Sequence, residues 1–415
     1  MKFSQGYIYA IKDTSREYDS RSHQLLIQGG FLDQVASGLY TFLPPGRNVL
    51  KKIEHIVRKH IKDLGALEVD MPSLQPKPLW EQTQRWDAVD VLYKVESRHG
   101  GEYGLAATAE EVVTPLAKKY IKSYKDLPLA LFQITNKFRD EPRPKSGILR
   151  GREFRMKDLY SFHANEDDFN QFYARVIDAY LKIFKECGLE DVKITEASGG
   201  DFTNKHSHEF NVLTDAGEVD LIYCATSNKA LNTEVVKNPK HPEIQCDGEI
   251  KEGKAVEVGN IFDLQYRFSK PFDFKYVDEY GKKHLILMGC YGIGTSRLIG
   301  AVVETHNDKG GMIWPKNITP FHAHLANLNS KDAKFADLIY RTLTAEGFDV
   351  LYDDRDDISA GEKLVTADLI GIPIRLVVSE RTKDCVEWKE RTSEKANLMT
   401  PTDLVDKLRF EYPTF

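Results

Sequence analysis

Residues 138–162 read FRDEPRPKSGILRGREFRMKDLYSF, and this stretch decides what kind of molecule the chain makes. Arg139 and Glu141 stand two apart, which on a strand turns both side chains to one face. A turn-rich stretch from Pro142 to Gly147 follows, and then a second strand-like run carries Arg150, Arg152 and Phe154. A hairpin of this kind presents guanidinium groups, a carboxylate and an aromatic ring to one surface. Guanidinium forks suit phosphate oxygens, a carboxylate accepts from an exocyclic amine, and a ring stacks on a base. Taken alone, the same pattern also fits a charged hairpin facing solvent.

A second stretch, GCYGIGTSRLIG at 289–300, follows a strand-like run. Gly289, Gly292 and Gly294 let the backbone approach a neighbour closely, and Arg297 opens the helix behind them. The pattern lacks the parallel strand–helix setting of a dinucleotide fingerprint, and no G-x-x-x-x-G-K-[ST] loop occurs. Upstream, 47–64 places apolar residues at 49, 50, 53, 56, 57, 61 and 64, the spacing of an amphipathic helix with a basic outer face. Gly65 stops it, and 66–71 reads as a strand leading into Pro72. A further helix is expected over 168–187, and strands and hairpins over 209–224 and 255–290. Between these, 237–254 is polar and broken by prolines and glycines, so it reads as a surface loop. After Trp314–Pro315 the texture changes to strand 321–328, helix 331–346, strand 348–352, helix 361–370 and strand 373–378. The expectation is an antiparallel-sheet α+β domain over 1–318 and a small α/β domain with a mostly parallel sheet over 319–415.

Composition narrows the function. The 415 residues are 41% apolar and 29% charged, with a net charge of −6. That excludes a disordered chain and a general electropositive coat for nucleic acid, so an RNA partner would have to be held by local basic patches. The five cysteines form no C-x-x-C pair and are odd in number, which predicts reduced thiols and no disulfide framework. No apolar run is long enough to span a membrane, and Met1–Tyr18 lacks the features of a signal or transit peptide, so a cytoplasmic protein is expected. No metal centre is expected. His206, His208 and Glu209 lack a matching Cys/His pair, His241 with Cys246 is weaker still, and Asp353, Asp354, Asp356 and Asp357 lack the ligand spacing of a calcium loop.

The order of these segments is that of the three motifs of class II aminoacyl-tRNA synthetases: helix, strand and Pro72; then Arg-x-Glu with a loop and Phe; then a glycine-rich strand with Arg. Within that class the chain resembles the prolyl-tRNA synthetases along essentially its whole length. The resemblance is carried by SHQLLIQGGFLDQVASGLYTFLPPG (22–46), LEVDMPSLQPKPLWEQTQRW (67–86), Thr108-Ala109-Glu110, NKFRDEPRP (136–144), GREFRMKDLYSFH (151–163) and MGCYGIGTSR (288–297). Threonyl-tRNA synthetases carry an Asn-Cys-Pro zinc-ligand segment where this chain has Thr108-Ala109-Glu110. One departure is Asn260, in Glu257-Val258-Gly259-Asn260-Ile261-Phe262, where bacterial-type relatives often have histidine. Another is Gln265-Tyr266-Arg267-Phe268-Ser269, where Gly-Thr-Lys-Tyr-Ser is usual.

The resemblance implies an α+β class II catalytic domain (an antiparallel sheet flanked by helices) followed by an α/β anticodon-binding domain. It implies ATP and Mg2+, L-proline and the proline tRNA as substrates and partners, and a homodimer bordered by the 47–64 helix. Arg139 is expected to hold the α-phosphate and the amino-acid carboxylate. Glu141 should accept from the adenine amine, which lies between Phe154 and the Arg297 guanidinium. Arg150 and Arg297 should meet the outer phosphates, with Gly292 and Gly294 giving close approach. Thr108 and Glu110 should bind the imino group of proline, and Met156 and Cys290 should line its ring pocket. Thr226 and Asn228 are expected on a strand that contributes to the ATP and proline sites. Asp354, Arg355, Lys363 and the 361–373 segment are expected to read anticodon bases. The polar 237–254 loop stands where many bacterial relatives carry an insertion that hydrolyses mischarged alanyl-tRNA. Two other readings compete: a catalytically dead RNA-binding relative, and a ligase for threonine.

Overall fold

The computed structural model describes residues 1–6, 17–197, 207–233, 236, 244–329 and 333–413. By their internal contacts they form two compact units. One is Met1–Ala36, Tyr40–Lys52 and Val302–Phe415; the other is Ser37–Leu39 and Ile53–Ala301. Residue 318 therefore lies within the first unit, which the chain enters more than once.

The second unit is built on nine strands in the order Ser207–Leu213, Val192–Ala197, Lys229–Asn232, Val219–Cys224, Ile250–Gln265, Leu287–Ile293, Glu153–His163, Leu129–Phe138, Leu67–Glu68. Most pairings are antiparallel, as expected. The parallel ones are Leu67–Glu68 on Leu129–Phe138, and Lys229–Asn232 on Val192–Ala197. Ser207–Leu213 also pairs with Ile250–Gln265, so five strands close into a ring at one end. In the central strands alternation sorts side chains between two faces. Lys157 and Leu159 fall on one face and Met156, Asp158 and Tyr160 on the other. The helix Glu166–Glu186 covers the first face with buried Phe169, Phe172, Val176, Tyr180, Ile183 and Phe184, the spacing of one helical stripe. It begins at Asn165, whose side chain accepts from the Asp168 N–H, and three acidic residues in its first turn favour the dipole.

The first unit holds a five-stranded sheet in the order Val350–Asp353, Ala323–Asn327, Ile374–Val378, Val386–Glu390, Ala396–Met399. The first three strands are parallel and the last two antiparallel. Its edge is extended by the start of the chain, where Lys2 bridges Tyr352 in parallel and the Tyr352 N–H donates to Met1 O at 2.8 Å. Phe3 is buried there, stacked on His324.

Several expectations are corrected by these elements. The 66–71 strand is reduced to Leu67–Glu68. Of the 237–254 loop, residues 237–243 lie outside the described residues, and residues 250–254 open a sixteen-residue strand, Ile250–Gln265. Lys251, Glu252 and Lys254 gave no apolar alternation, and pairing with Val219–Cys224 holds them extended. The tail carries a strand pair, Val386–Glu390 and Ala396–Met399, and a helix, Pro401–Glu411, beyond the elements anticipated. The expectation of no disulfide is also corrected: Cys224 and Cys246 are bonded, with Cα atoms 5.6 Å apart. The Ala225 N–H donates to Glu249 O, which folds the segment before the long strand back onto Cys224. An odd cysteine count could not reveal a local pair.

Candidate active site

Two lateral rows cross the face of the central sheet opposite the long helix. Gln133, Asp158, Gly292 and Asn260 are in register, and so are Leu131, Tyr160, Cys290 and Phe262. Of the expected site residues, Cys290 and Gly292 lie in these rows and Met156 lies beside them on the same face.

Arg139 and Glu141 do not lie on a strand. The strand ends at Phe138, and the Glu141 N–H donates to Arg139 O at 2.7 Å in a tight turn. Their convergence comes from that turn and from the Arg139 N–H donating to Arg152 O across the loop mouth. The Arg139 guanidinium lies 5.3 Å from the centre of the Phe154 ring. Arg150 Nε and one of its terminal nitrogens donate to the same oxygen of Glu141, at 3.0 and 2.8 Å, which leaves the other Glu141 oxygen outside this clamp. The other terminal nitrogen donates to Glu218 at 2.6 Å. Glu218 reaches this place because Gly217 seats the turn on Ala255; a Cβ at Gly217 would lie 2.3 Å from the Ala255 carbonyl carbon.

Arg297 comes from the first turn of the helix Thr295–Thr305 and donates to Glu257 O at 2.8 Å. Glu257 Oε1 accepts from Asn260 at 2.8 Å. These groups line a cavity of about 330 Å³ bounded by Arg139, Glu141, Arg150, Glu218, Glu257 and Arg297. Burial, joined by the charge of Arg297, lowers the pKa of Arg139 from its ordinary value. A guanidinium stays charged under such pressure, so Arg139 can meet an anion in a lining that Glu141, Glu218 and Glu257 keep mixed in sign.

Within electrostatic reach of Arg139 lies a second group of side chains, a buried one around Glu110. Glu110 is fully buried at the start of the helix Glu110–Tyr120. It accepts from the Thr108 hydroxyl and, at 3.1 Å, from the Cys290 thiol. Burial, reinforced by Glu110, pushes the Cys290 thiol well up, so it stays a donor. The loop is pinned by the Ala109 N–H donating to Tyr160 Oη at 3.0 Å, while that hydroxyl donates to Asp158 at 3.1 Å and Asp158 pairs with buried Lys137 at 2.8 Å. Met156 lies half-buried on the same face. Sequence reasoning missed Arg85 and Glu111. Both are buried, with the guanidinium 2.8 Å from Glu111 and 3.6 Å from Glu110. The available signal was an arginine in a polar segment bracketed by Trp80 and Trp86, and two adjacent acids opening an apolar helix. Glu218 was missed as well, and only the fold brings it to Arg150.

The structure thus brings together Arg139, Glu141, Arg150 and Arg297 around one cavity, with Phe154 against Arg139, and joins Thr108 and Cys290 to the buried Glu110. Gly292 faces Asn260, and a Cβ on it would lie 2.7 Å from Asn260 Oδ1. Gly294 packs against the Arg297 side chain. Thr226 and Asn228 are not brought in. Both are exposed in the turn after Val219–Cys224 and line a separate groove with Lys185 and Lys193. Val219 pairs with Ala255 beside the cavity, and the strand then runs away from it to Cys224, opposite Ile250.

In the first unit, Asp354 accepts from the Ser4 N–H at 2.9 Å and from its hydroxyl at 2.6 Å. Arg355 donates to Asp353 at 2.8 Å and lies 4.3 Å from the Phe3 ring centre, while buried Lys363 donates to Asn327 O at 2.7 Å. These three residues are each engaged by the chain itself. His208 Nδ1 is 2.8 Å from the Tyr173 hydroxyl. His206 and His241 lie outside the described residues, and among the described residues no cluster of three or more His, Cys, Asp or Glu could hold a metal.

Comparison with known proteins shows the family. Residues 93–306 match the tRNA synthetase class II core domain (G, H, P, S and T), and residues 320–411 match an anticodon binding domain. A proline–tRNA ligase of Ehrlichia chaffeensis is 37% identical over 430 positions, covering 99% of this chain and 100% of its own. One from a Geobacillus species is 31% identical over 564 positions, covering 99% of each chain. A crystal structure of prolyl-tRNA synthetase from Cryptosporidium parvum, complexed with L-proline and AMP, superposes with a TM-score of 0.75 at 19% identity, covering 94% of this chain and 74% of that one.

Proposed function

The chain belongs to the class II aminoacyl-tRNA synthetases, among the proline–tRNA ligases, and from that premise we propose how its own residues carry the reaction. The enzyme activates L-proline with ATP to prolyl-adenylate and passes the prolyl group to the 3′ end of its tRNA. One carboxylate oxygen of proline attacks the α-phosphorus, the bond to the bridging oxygen of pyrophosphate breaks, and pyrophosphate leaves. No side chain need gain or lose a proton in that step; positioning and charge neutralisation lower the barrier. Arg139 faces the α-phosphate and the proline carboxylate. Arg297 and Arg150 meet the outer phosphates, and Arg150 holds Glu141 so that its second oxygen accepts from the adenine amine. Phe154 stacks on the base. Glu110, Thr108, Cys290 and Met156 take proline itself, with the carboxylate paired to its secondary ammonium.

The observation that carries this reading is a cavity lined by three guanidiniums and three carboxylates, with the buried carboxylate of Glu110 close enough to Arg139 to act on its charge. The test is ATP–pyrophosphate exchange with each amino acid in turn. Proline is expected to support it far better than any other amino acid, with alanine at a low rate, and Arg139→Ala and Arg297→Ala are each expected to cost about a hundredfold or more. Wild-type exchange by either folded variant would refute the assignment.

For Mg2+, the oxygen donor at hand is Glu257, aimed by Asn260 and set beside Arg297. A hard cation held by a triphosphate needs only one or two protein carboxylates, so the site fits it without a cage of side chains. The ion supplies charge neutralisation along the phosphates. Residues 319–415 form the anticodon-binding domain in this reading. Asp354, Arg355 and Lys363 read bases once released from Ser4, Phe3 and Asn327, because edges and faces of unpaired bases suit such groups. The working enzyme is a cytoplasmic homodimer with the Pro44–Asp63 helix at or near the interface. A monomer by light scattering at micromolar concentration, still fully active, would overturn that part.

A further inference from the structure

The amino-acid pocket contains more charge than proline recognition requires. Glu110 and Glu111 are the first two residues of the helix Glu110–Tyr120, and both are fully buried. Adjacent helical positions point about 100° apart, so the two carboxylates face different partners. Glu110 turns to Thr108 and Cys290. Glu111 accepts from the Thr83 hydroxyl at 3.0 Å and from Arg85 at 2.8 Å. The Arg85 side chain is 3% exposed, and its guanidinium lies between the rings of Trp80 and Phe268, at 5.4 and 5.2 Å from their centres. That packing fixes where its charge can sit. It stands 3.6 Å from Glu110, just beyond the reach of a hydrogen bond.

We propose that Arg85 and Glu111 form a buried charge clamp that sets which ligand the site accepts: Arg85 gives its hydrogen bond to Glu111 and meets Glu110 only in a looser ion pair at 3.6 Å, so Glu110 keeps the capacity to select a monocationic amine. Within this trio two anions face one cation, and the secondary ammonium of proline closes that local balance, while Arg139, which also feels Glu110, answers to the proline carboxylate and the α-phosphate. Without Glu111 the nearest anion to Arg85 is Glu110, and an internal ion pair would then compete with the substrate. The clamp rests on the reading of Glu110 as the imino-group partner. Arg85 and Glu111 are positioning residues, since neither touches the substrate. Burial holds the Glu111 carboxyl above its ordinary value against the pull of Arg85, and the two carboxylates hold Arg85 above its own, against burial.

The test is pyrophosphate exchange by the full chain, with KM for proline and for ATP measured separately. Glu111→Gln keeps the shape and the Thr83 contact, so it is the variant least disturbing to the fold. It is expected to raise KM for proline roughly tenfold or more, as a redirected buried charge should, while KM for ATP moves less than about threefold. Arg85→Met with Glu111→Gln removes both charges and is expected to recover much of that loss; a merely structural role for Arg85 predicts a further loss instead. Tetrahydrofuran-2-carboxylate, a neutral ring analogue, supplies a second readout. Its inhibition relative to proline should strengthen in Glu111→Gln, because the pocket no longer favours a cation. A wild-type KM for proline in folded Glu111→Gln, or a double variant no better than the single one, overturns the clamp. Glu110→Gln separates the two levels: wild-type proline use by that variant overturns the placement of proline on Glu110 itself.

Discussion

Gly292 shows how little room the site leaves at a single residue. Its missing Cβ is replaced by Asn260 Oδ1, and the amide nitrogen of Asn260 in turn aims Glu257. An added methyl forces Asn260 to turn, at a cost of about 1–3 kcal/mol for overpacking a filled interior. Gly292→Ala is expected to melt earlier and to raise KM for ATP, since Glu257 lies beside Arg297. Melting and exchange kinetics that both match the wild type would refute this. Residues of this kind were legible where chemistry interrupts a simple pattern. Arg139 and Glu141 stood out as charges beside a turn-rich stretch and Arg297 as a charge behind glycines, whereas Glu110 came from the family resemblance. Thr226 and Asn228 did not belong with them, because nothing local tells which end of a strand meets the cavity. Glu218 was illegible for the same reason, since its partner Arg150 is 68 residues away. Arg85 was hidden by ordinary expectation, as an arginine between aromatic residues reads first as surface.

Among the elements, the Glu166–Glu186 helix has the most separable role. It backs the sheet on the face away from the cavities, so loosening its start should change stability and spare binding. Asn165→Ala removes the side-chain acceptor for the Asp168 N–H and is expected to cost about 1 kcal/mol, read from urea unfolding, with both KM values unchanged. A tenfold change in either KM would mean that the helix does more than support. This helix and Pro44–Asp63 were readable because five turns or more of 3.6-residue periodicity outweigh local noise. Short strands had no such redundancy. Leu67–Glu68 is held by its parallel pairing with Leu129–Phe138, and the polar start of Ile250–Gln265 by pairing with Val219–Cys224. Val386–Glu390 and Ala396–Met399 carry charged and polar residues at alternate or exposed positions, and only the sheet edge they extend makes them strands.

At the scale of the whole molecule, one source of acid sensitivity lies in the first unit. His324 is buried beside Phe3, and burial lowers its pKa to about 4, with Arg355 and Arg375 adding to the shift and Asp353 opposing it. An unfolded histidine titrates near 6.5, so between pH 6.5 and 4 the unfolded chain takes up a proton that the folded chain refuses. Stability therefore falls as pH drops through that window, by about 2 kcal/mol at pH 5 from this residue. His324→Gln is expected to flatten the fall in urea midpoint between pH 7 and pH 5; an unchanged slope would refute the assignment. Fidelity is also a property of the whole chain. The Geobacillus relative aligns over 564 positions against 415 residues here, and this chain carries no editing domain in cis. Removing ring carbons is worth only about 1–3 kcal/mol each in discrimination, so alanine should be activated at a low rate. Preformed alanyl-tRNA of the proline isoacceptor should then persist in the presence of the enzyme, and hydrolysis faster than the enzyme-free rate would contradict this. The bridge between Lys2 and Tyr352 bears, finally, on the order in which the molecule comes into being. A ribosome makes residue 2 early and residue 352 late, and loops of that length close only once both ends exist. Residues 53–301 can complete their sheet while the first strand partner still waits, so folding during synthesis proceeds from the middle of the chain outward. Nascent chains stalled before residue 350 emerges should therefore contain a protease-resistant centre and a cleavable beginning.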